Sequence, residues 1–301
     1  MLYPDFHELV SLGTKASRLQ LVSGQRSWAA TSGNYASPFR GQGLAFHEVR
    51  DYRFGDDIRS IDWRVTARTN KPHIKVFTEE RERTVLLCID ANAAMRFGTR
   101  GTFKSVQAAR AAALLGWQAN GSSDRVGCLV FGGADGIAYF RPTRSRQALW
   151  QTLKLLSEPA QDVPVAPDVA LKYLEPLVPR GALVLLIADF QDATDMLEKR
   201  LGDMRRKCDV VLIAINDPAD REIPPMETVI FSDTAGHTLT LDTDNPAGRA
   251  AYARQWQENR TRLEEIAARK GIGIVDLHTD KDVYDELLPG LRRLNIKRDK
   301  R

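Results

Sequence analysis

Two aspartates stand at positions where a carboxylate could bind a metal ion. Asp90 ends the apolar run TVLLCID, and Asp189 ends the apolar run ALVLLIAD. Carboxylate oxygens are the ligands that Mg²⁺ prefers, and amide or hydroxyl oxygens can complete its shell. Asn92 offers an amide oxygen shortly after Asp90, whereas Ala94 offers none. Three interpretations stay open: a metal site, the remnant of one, or aspartates that only cap the turns after two strands.

The elements that must position these aspartates are strands and helices in alternation. From residue 84 onward, near-continuous apolar runs alternate with segments whose apolar residues recur at three- and four-residue spacing. Such runs are typical of strands buried on both faces of a sheet. The pattern predicts an α/β fold with a doubly wound, mostly parallel sheet. Ligands bind such sheets at the carboxyl ends of the strands where the winding reverses. Asp90 and Asp189 would face one crevice if their strands are neighbours there.

Two short connections predict hairpins within this alternation. Only GGAD, residues 132–135, separates the runs VGCLVF and GIAYFRP, and this Gly-rich turn predicts an antiparallel strand at the sheet edge. The segment TVIFSDTAGHTLTLD, residues 228–242, predicts a second hairpin that is also added to the sheet. We assign residues 81–301 to the sheet domain. Residues 1–80 form an N-terminal extension with one helix and a charged, irregular segment.

The charged segment, residues 50–68, interleaves both signs of charge with aromatic residues. A solvated charged face is the usual meaning of such a run. We expect instead that its apolar side chains, Trp63 among them, are buried and that its charges form a fixed network of ion pairs. The same residues could also present a binding surface, since Arg and Trp dominate interface hot spots. The candidates for this network or surface are Arg50, Arg53, Asp56, Asp57, Arg59, Asp62 and Trp63.

Composition narrows the possible partners and location. The 43 basic and 39 acidic residues give a net charge of +4, which does not require a polyanionic partner. Acids among the arginines of the charged segment would repel phosphates, so we expect no nucleic-acid partner. The N-terminus lacks a signal peptide, and no stretch is apolar enough to span a membrane. We therefore expect a cytoplasmic protein without membrane insertion. The three cysteines show no CxxC spacing and are expected to be buried thiols.

Two motifs connect the chain with a known family. The segment RDYRFGDDIRSIDW, residues 50–63, contains an Arg-x-Tyr-x-x-Gly-Asp run followed by Arg-x-Ile-Asp-Trp, and ADFQD occupies residues 188–192. Over residues 40–295 the chain resembles the von Willebrand factor A-like bacterial proteins of domain-of-unknown-function family 58. The resemblance implies a protein-interaction module of the kind that is frequently partnered with a MoxR-type AAA+ ATPase. It does not imply an enzyme.

The resemblance also implies where a metal site would lie. The metal-ion-dependent adhesion site of such domains uses Asp-x-Ser-x-Ser, a Thr from a second loop and an Asp from a third. Asp90 and Asp189 keep the two acids, and Asn92 replaces the first Ser. Ala94 and Pro167 stand where the second Ser and the Thr are expected. We expect Mg²⁺ or Mn²⁺ to bind only weakly at this degenerate site of Asp90, Asn92 and Asp189, and we expect no other cofactor.

Two functions remain in comparison. The preferred one is a cytoplasmic interaction module that acts as an adaptor for a MoxR-type AAA+ ATPase, since no GxxxxGK phosphate loop is present. The alternative is a metal-dependent hydrolase or nuclease that uses Asp90 and Asp189. Such chemistry usually needs more carboxylates and a base, and no histidine is placed by the sequence to serve. We therefore expect that the protein is not an enzyme.

Overall fold

The chain divides into two compact units in a computed structural model of the protein. The structure describes residues 2–19, 21, 44–54, 56–79, 83–159, 163–191, 194–232 and 238–299. The larger unit comprises Met1–Gly24 and Arg83–Arg301, and the smaller unit comprises Gln25–Glu82. This division differs from the expected one, in which residues 1–80 stood apart from the sheet. The N-terminal residues join the sheet unit because Leu9, Ala16 and Leu19 are buried in its core.

Ten strands and ten helices are defined in the described residues. The strands are β1 (Leu44–Asp51), β2 (His73–Glu79), β3 (Thr84–Asp90), β4 (Arg125–Gly133), β5 (Gly136–Thr143), β6 (Leu183–Ala188), β7 (Asp209–Asn216), β8 (Thr228–Ser232), β9 (Thr238–Asp242) and β10 (Gly273–His278). The helices are α1 (Phe6–Ser11), α2 (Gly13–Ala16), α3 (Trp63–Thr69), α4 (Lys104–Gly121), α5 (Gln147–Ser157), α6 (Pro167–Leu174), α7 (Asp195–Arg205), α8 (Pro218–Arg221), α9 (Pro246–Lys270) and α10 (Val283–Asp299). Short 3-10 turns lie at Ile58–Ser60, Ala93–Arg96 and Glu175–Leu177.

The larger unit is built on a six-stranded sheet with the order β10-β7-β6-β3-β4-β5. All neighbours pair in parallel except β4 and β5, which form the predicted antiparallel hairpin at the edge. The chain fills one half of the sheet outward from β3 and then the other half outward from β6. The winding therefore reverses between β3 and β6, and the prediction of a doubly wound, mostly parallel sheet is confirmed.

Both faces of this sheet are covered by helices, which explains why its strands are apolar throughout. Every residue from Val85 to Asp90 is buried, and all of β6 is buried. One core cluster contains residues of α1, α2, α4, α5 and α10, and the other contains residues of α6, α7 and α9. Helix α4 approaches α5 closely, because a Cβ atom at Gly116 would lie 2.5 Å from a Leu149 methyl carbon.

The second predicted hairpin forms, but it does not extend the main sheet. Strands β8 and β9 pair only with each other among the described residues and make a separate two-stranded sheet. Ile230 of β8 is exposed. The expectation that this hairpin joins the sheet was wrong. No described helix is both long enough and apolar enough to cross a membrane.

The smaller unit pairs β1 with β2 in an antiparallel hairpin that has a bulge between Phe46 and Glu48. Asp57 caps the 3-10 turn Ile58–Ser60 by accepting from the Arg59 N–H group, and Asp62 caps α3 by accepting from the N–H groups of its first turn. Helix α3 ends at Asn70, which adopts the left-handed conformation common at helix ends.

Candidate functional site

The two candidate aspartates lie on opposite sides of the reversal point. Asp90 is the last residue of β3, and Asp189 directly follows β6, the neighbouring strand. Asp90 is buried and Asp189 is largely buried. Burial raises the pKa of Asp90, and the nearby negative charge of Asp189 adds to the rise.

Asp90 and Asn92 form hydrogen bonds with each other. The Oδ1 atom of Asp90 accepts from the Asn92 N–H group at 2.8 Å and from Asn92 Nδ2 at 2.7 Å. The same Nδ2 donates to the Val165 carbonyl at 2.9 Å, and Asn92 Oδ1 accepts from the Val165 N–H group at 2.9 Å. Asn92 therefore ties the end of β3 to the segment that precedes α6, and its amide oxygen serves the backbone.

Gly132 makes room for this amide. Its φ of 82° is in the left-handed region, and a Cβ atom there would lie 2.3 Å from Asn92 Oδ1 and 2.7 Å from the Asn92 backbone nitrogen. No side chain fits at so short a distance, and the positive φ is strained for residues other than glycine. The Gly-rich turn after β4 thus serves the Asn92 clamp as well as the edge hairpin.

Lys104 is the functional residue that sequence reasoning missed. It is the first residue of α4 and is only 1% exposed. Its Nζ atom donates to Asp220 Oδ1 at 2.8 Å and to Asp189 Oδ2 at 3.4 Å, and it lies 5.4 Å from the centre of the Phe97 ring. A positive charge at a helix N-terminus opposes the helix dipole, so a lysine that opens an Ala-rich helix was a signal of a nearby acid.

Asp220 and Asp217 belong to the same group of buried polar side chains as Lys104. Asp220 Oδ1 also accepts from Gln191 Nε2 at 2.7 Å, and Asp220 Oδ2 accepts from the Asp217 N–H group at 2.7 Å. Asp217 caps α8, as its position before Pro218 suggests. Burial acts to raise the pKa of Asp217, but hydrogen bonds from Thr279 and Thr99 outweigh it and hold that pKa below its ordinary value.

The environment shifts the pKa values of the two candidate aspartates upward. Burial raises the pKa of Asp90 to about 7, the charge of Asp189 adds to the rise, and the Asn92 hydrogen bonds and Lys104 oppose it. Burial also raises the pKa of Asp189, helped by the charge of Asp220 and opposed by Lys104 and the Gln191 N–H group. Both carboxyl groups are therefore harder to ionise than an exposed aspartate, and Lys104 is the cation that offsets this.

A cleft of about 150 Å³ opens beside this buried group, between the carboxyl ends of β6 and β7 and helix α9. Tyr252 and Trp256 of α9 contribute aromatic surface, and the Tyr252 hydroxyl donates to the Ala219 carbonyl at 3.1 Å. Asp189 and Asp220 reach the same cleft. Phe190, which follows Asp189, is buried with a φ of 51°, a conformation that phenylalanine rarely adopts and that marks local backbone strain.

The donor set at the reversal point suits a divalent metal ion poorly. Ala94 and Pro167 have no side-chain oxygen, and Pro167 is the first residue of α6. Asn92 uses its amide oxygen on Val165, and the Asp189 carboxylate already faces the Lys104 ammonium group. Within the described part of the chain, no group of three or more His, Cys, Asp or Glu residues is arranged to hold a metal ion.

The charged segment of the smaller unit forms a local network around two of its aspartates. The Arg50 guanidinium group binds both oxygens of Asp56, at 2.9 and 2.8 Å, and the Arg53 N–H group donates to Asp56 Oδ2 at 2.7 Å. The Arg50 hydrogen bond is the largest of the effects that lower the pKa of Asp56. Asp62 accepts from the N–H groups of Arg64 and Val65. Asp56 and Asp62 thus accept hydrogen bonds from the backbone of a turn and of a helix N-terminus.

The expectation that the apolar side chains of this segment are buried was wrong for three of them. Trp63 is 67% exposed, and Phe54 and Ile58 are exposed as well. A two-stranded sheet with one short helix has little interior in which to bury large side chains. The side chains of Arg53 and Arg59 lie on the same segment and are also exposed. Arginine, tryptophan and phenylalanine thus face outward here.

The strand order, with its one antiparallel strand at the edge of the six-stranded sheet, defines a doubly wound, mostly parallel α/β domain. Residues 48–262 match the family model described as "Protein of unknown function DUF58", and the chain belongs to this family. Uncharacterized proteins of Mycobacterium bovis and of Mycobacterium tuberculosis are 28% identical to it over 269 residues, which are 88% of this chain and 84% of each relative.

Solved structures resemble the chain more distantly. The crystal structure of the conserved hypothetical protein BatB from Bacteroides thetaiotaomicron aligns with a TM-score of 0.46 and 15% identity, over 70% of this chain and 98% of that one. A von Willebrand factor type A structure from Catenulispora acidiphila aligns with a TM-score of 0.42 and 11% identity, over 73% of this chain and 43% of that one.

Proposed function

We propose that the protein is a cytoplasmic protein-interaction module, an adaptor for a MoxR-type AAA+ ATPase, and that it has no catalytic activity of its own. The resemblance of the chain to von Willebrand factor A-like bacterial proteins supports the interaction role, and the RDYRFGDDIRSIDW segment that carries this resemblance supports the kind of partner. The observation that carries the proposal is the Lys104 ammonium group, which bonds to Asp189 at the reversal point and to Asp220 of α8.

Lys104 supplies the positive charge that a metal ion supplies in an intact adhesion site. In the proposed degenerate site, Asp189 receives its counter-charge from Nζ of Lys104, and Asp90 receives hydrogen bonds from Asn92. A lysine side chain is part of the chain, so, unlike a metal ion, it cannot dissociate from this edge. The module should then bind its partner equally well with and without Mg²⁺ or Mn²⁺.

The same arrangement argues against the metal-dependent hydrolase or nuclease. Metal-assisted hydrolysis needs an ion with open coordination positions for water and substrate. The acids that would have to bind such an ion are bonded to Lys104 and Asn92. Asp90 has the raised pKa of a possible general base, yet its Oδ1 atom already accepts hydrogen bonds from the Asn92 N–H group and from Asn92 Nδ2.

The test is a binding measurement with a purified MoxR-type ATPase from the same organism, in the absence of nucleotide. We expect the affinity in EDTA and in Mg²⁺ to agree within about twofold, a difference of about 0.4 kcal/mol. Asp189→Ala should weaken the complex, whereas Asp285→Ala, an exposed acid on α10, should not. A melting curve for each variant separates lost binding from lost folding.

Three results would count against the proposal. If EDTA abolishes the complex, a metal ion takes part after all. If no complex with the ATPase is detected at any ATPase concentration, the adaptor role fails. If the purified protein hydrolyses a phosphodiester in Mg²⁺ and Asp189→Ala removes that activity, the protein is the metal-dependent hydrolase.

A different outcome concerns only the position of the interface. If Asp189→Ala binds the ATPase as tightly as the unmodified protein does, the interface lies on the segment of residues 50–68 instead.

A further inference from the structure

The cleft between β6, β7 and α9 combines negative charge with aromatic walls. Its lining includes the carboxylates of Asp189 and Asp220 and the rings of Tyr252 and Trp256. Amide side chains complete the lining, which also contains Gln191, Asn216, Gln255 and Asn259. The chemistry of this lining differs from that of an intact adhesion site, where a metal ion presents positive charge to the partner.

The charges at the cleft do not balance. Lys104 is a single cation placed between two carboxylates, those of Asp189 and Asp220, so this group carries one uncompensated negative charge. The guanidinium group of Arg260, a cation that does line the cleft, is already held by both oxygens of Asp276, at 2.7 and 2.8 Å. It also binds Glu264 at 2.8 Å. Arg260 therefore does not supply the missing positive charge.

The position of the two aspartates determines which charge a ligand would meet. The side chain of Asp189 is 13% exposed and that of Asp220 is 5% exposed, whereas that of Lys104 is 2% exposed. Asp189 and Asp220 are among the residues that line the cleft, whereas Lys104 is not, so a ligand in the cleft meets the carboxylates. Burial raises the pKa of Asp189 in spite of Lys104.

We propose that this cleft binds a basic side chain, an arginine, from the protein partner; this inference rests on the proposed interaction function. A guanidinium group can stack on an aromatic face and donate to a carboxylate at the same time. Trp256 and Tyr252 offer the faces, and Asp189 offers the acceptor. The amide oxygens of Gln255 and Asn259 are further acceptors at the rim. The volume of the cleft suits one long side chain better than a folded segment.

The specificity of the site is then opposite to that of a metal-dependent adhesion site. A bound Mg²⁺ would attract an acidic residue of the partner, because the ion keeps a coordination position for a carboxylate. Here the ion is replaced by a buried lysine whose charge is more than balanced by acids. Loss of the metal ligands therefore changes the sign of the charge that the site selects, as well as removing the metal.

The experiment is an NMR titration that follows the indole N–H resonance of Trp256, assigned with Trp256→Phe. The probe is Nα-acetyl-arginine methylamide, and its matched control is the citrulline analogue, which has the same shape without the charge. We expect a saturable shift for arginine and roughly tenfold or more weaker binding for citrulline, the usual effect of a charge-assisted hydrogen bond. The exposed Trp150 on α5 is an internal control whose resonance should not move.

A variant pair tests the role of the carboxylate. Asp189→Asn should weaken arginine binding at least about fivefold, while Asp285→Asn on α10 should leave it unchanged. Equal binding of arginine and citrulline, tighter binding of the glutamate analogue, or an unaffected Asp189→Asn variant would each overturn the inference. If spermidine binds more tightly than the blocked arginine, the ligand of the cleft is not a protein side chain.

Competition separates this inference from the function on which it rests. If the ATPase binds and saturating blocked arginine displaces it, both are supported. If the ATPase binds and the bound arginine analogue does not displace it, the adaptor function stands and the arginine site is wrong. If the cleft selects arginine over citrulline but no ATPase binds, the charge preference stands and the adaptor proposal fails.

Discussion

Replacing Lys104 by methionine tests the role of the buried cation directly. Methionine keeps an unbranched side chain of similar length and removes the charge. The substitution leaves Asp220 with hydrogen bonds from Gln191 Nε2 and the Asp217 N–H group, but it leaves Asp189 with only a 3.4 Å contact from the Gln191 N–H group. Removing one partner of a buried ion pair costs about 3–5 kcal/mol, since the remaining charge stays buried.

Urea denaturation at pH 7.5 measures this loss in the free energy of unfolding. The matched control is Lys154→Met, because Lys154 is 71% exposed and contacts Glu158 only at 3.9 Å. Exposed pairs of this kind contribute about 0–1 kcal/mol, so the control should differ little from the unmodified protein. A Lys104→Met variant that also unfolds within 1 kcal/mol of the unmodified protein would refute the reasoning.

The pH dependence of the Lys104→Met effect gives a second check. Lys104 now lowers the pKa of Asp189, so its removal raises that pKa further. A carboxyl group with a raised folded-state pKa costs stability above its unfolded value of about 3.9, and the cost disappears as the pH falls below that value. The destabilisation should therefore be largest near neutral pH and shrink toward pH 4. Adding Asp189→Asn and Asp220→Asn should recover much of it.

Three further substitutions test the neighbouring features. The unmodified protein should lose stability as the pH rises from about 4 to about 7, because ionising a buried carboxyl group with a pKa of about 7 costs up to roughly 4 kcal/mol. Asp90→Asn should remove this loss. An unchanged pH profile of the free energy of unfolding would contradict the raised pKa. Gly132→Ala should cost about 2 kcal/mol or more in a thermal melt because it displaces Asn92, whereas Gly133→Ala, with open space around its Cβ, should cost less than half of that. Trp63→Ala should cost less than about 1 kcal/mol, since the side chain is exposed, and a loss above about 3 kcal/mol would restore the buried role expected from the sequence.

The sheet was predictable from the sequence because its signal is local. Each strand from β3 onward is an apolar run bounded by turn residues, and the GGAD turn leaves no room for a helix between β4 and β5. The positions of Asp90 and Asp189 at neighbouring strand ends then follow from the winding of the fold. The hairpin of β8 and β9 was recognised for the same reason, but its place outside the sheet depends on contacts that the local pattern does not contain.

The composition of the site was not predictable in the same way. Lys104 is 85 residues from Asp189 and 116 residues from Asp220 along the chain, so only the tertiary fold brings them together. From the sequence alone, a lysine at the start of a helix is ordinarily interpreted as a solvated side chain. Leu9 and Leu19 escaped notice likewise, because the Gly- and Ser-rich residues that follow them suggested a separate extension.

The placement of Lys104 makes sense only through the acids at the strand ends. As the first residue of α4, its charge opposes the helix dipole, which costs roughly 0.3–1 kcal/mol, and its burial costs more. Neither cost is offset within the helix, since Phe103 provides no side-chain cap. Asp189 and Asp220 offset both, and they in turn would repel each other without a cation. Lys104 thus supplies the positive charge that these two buried acids need.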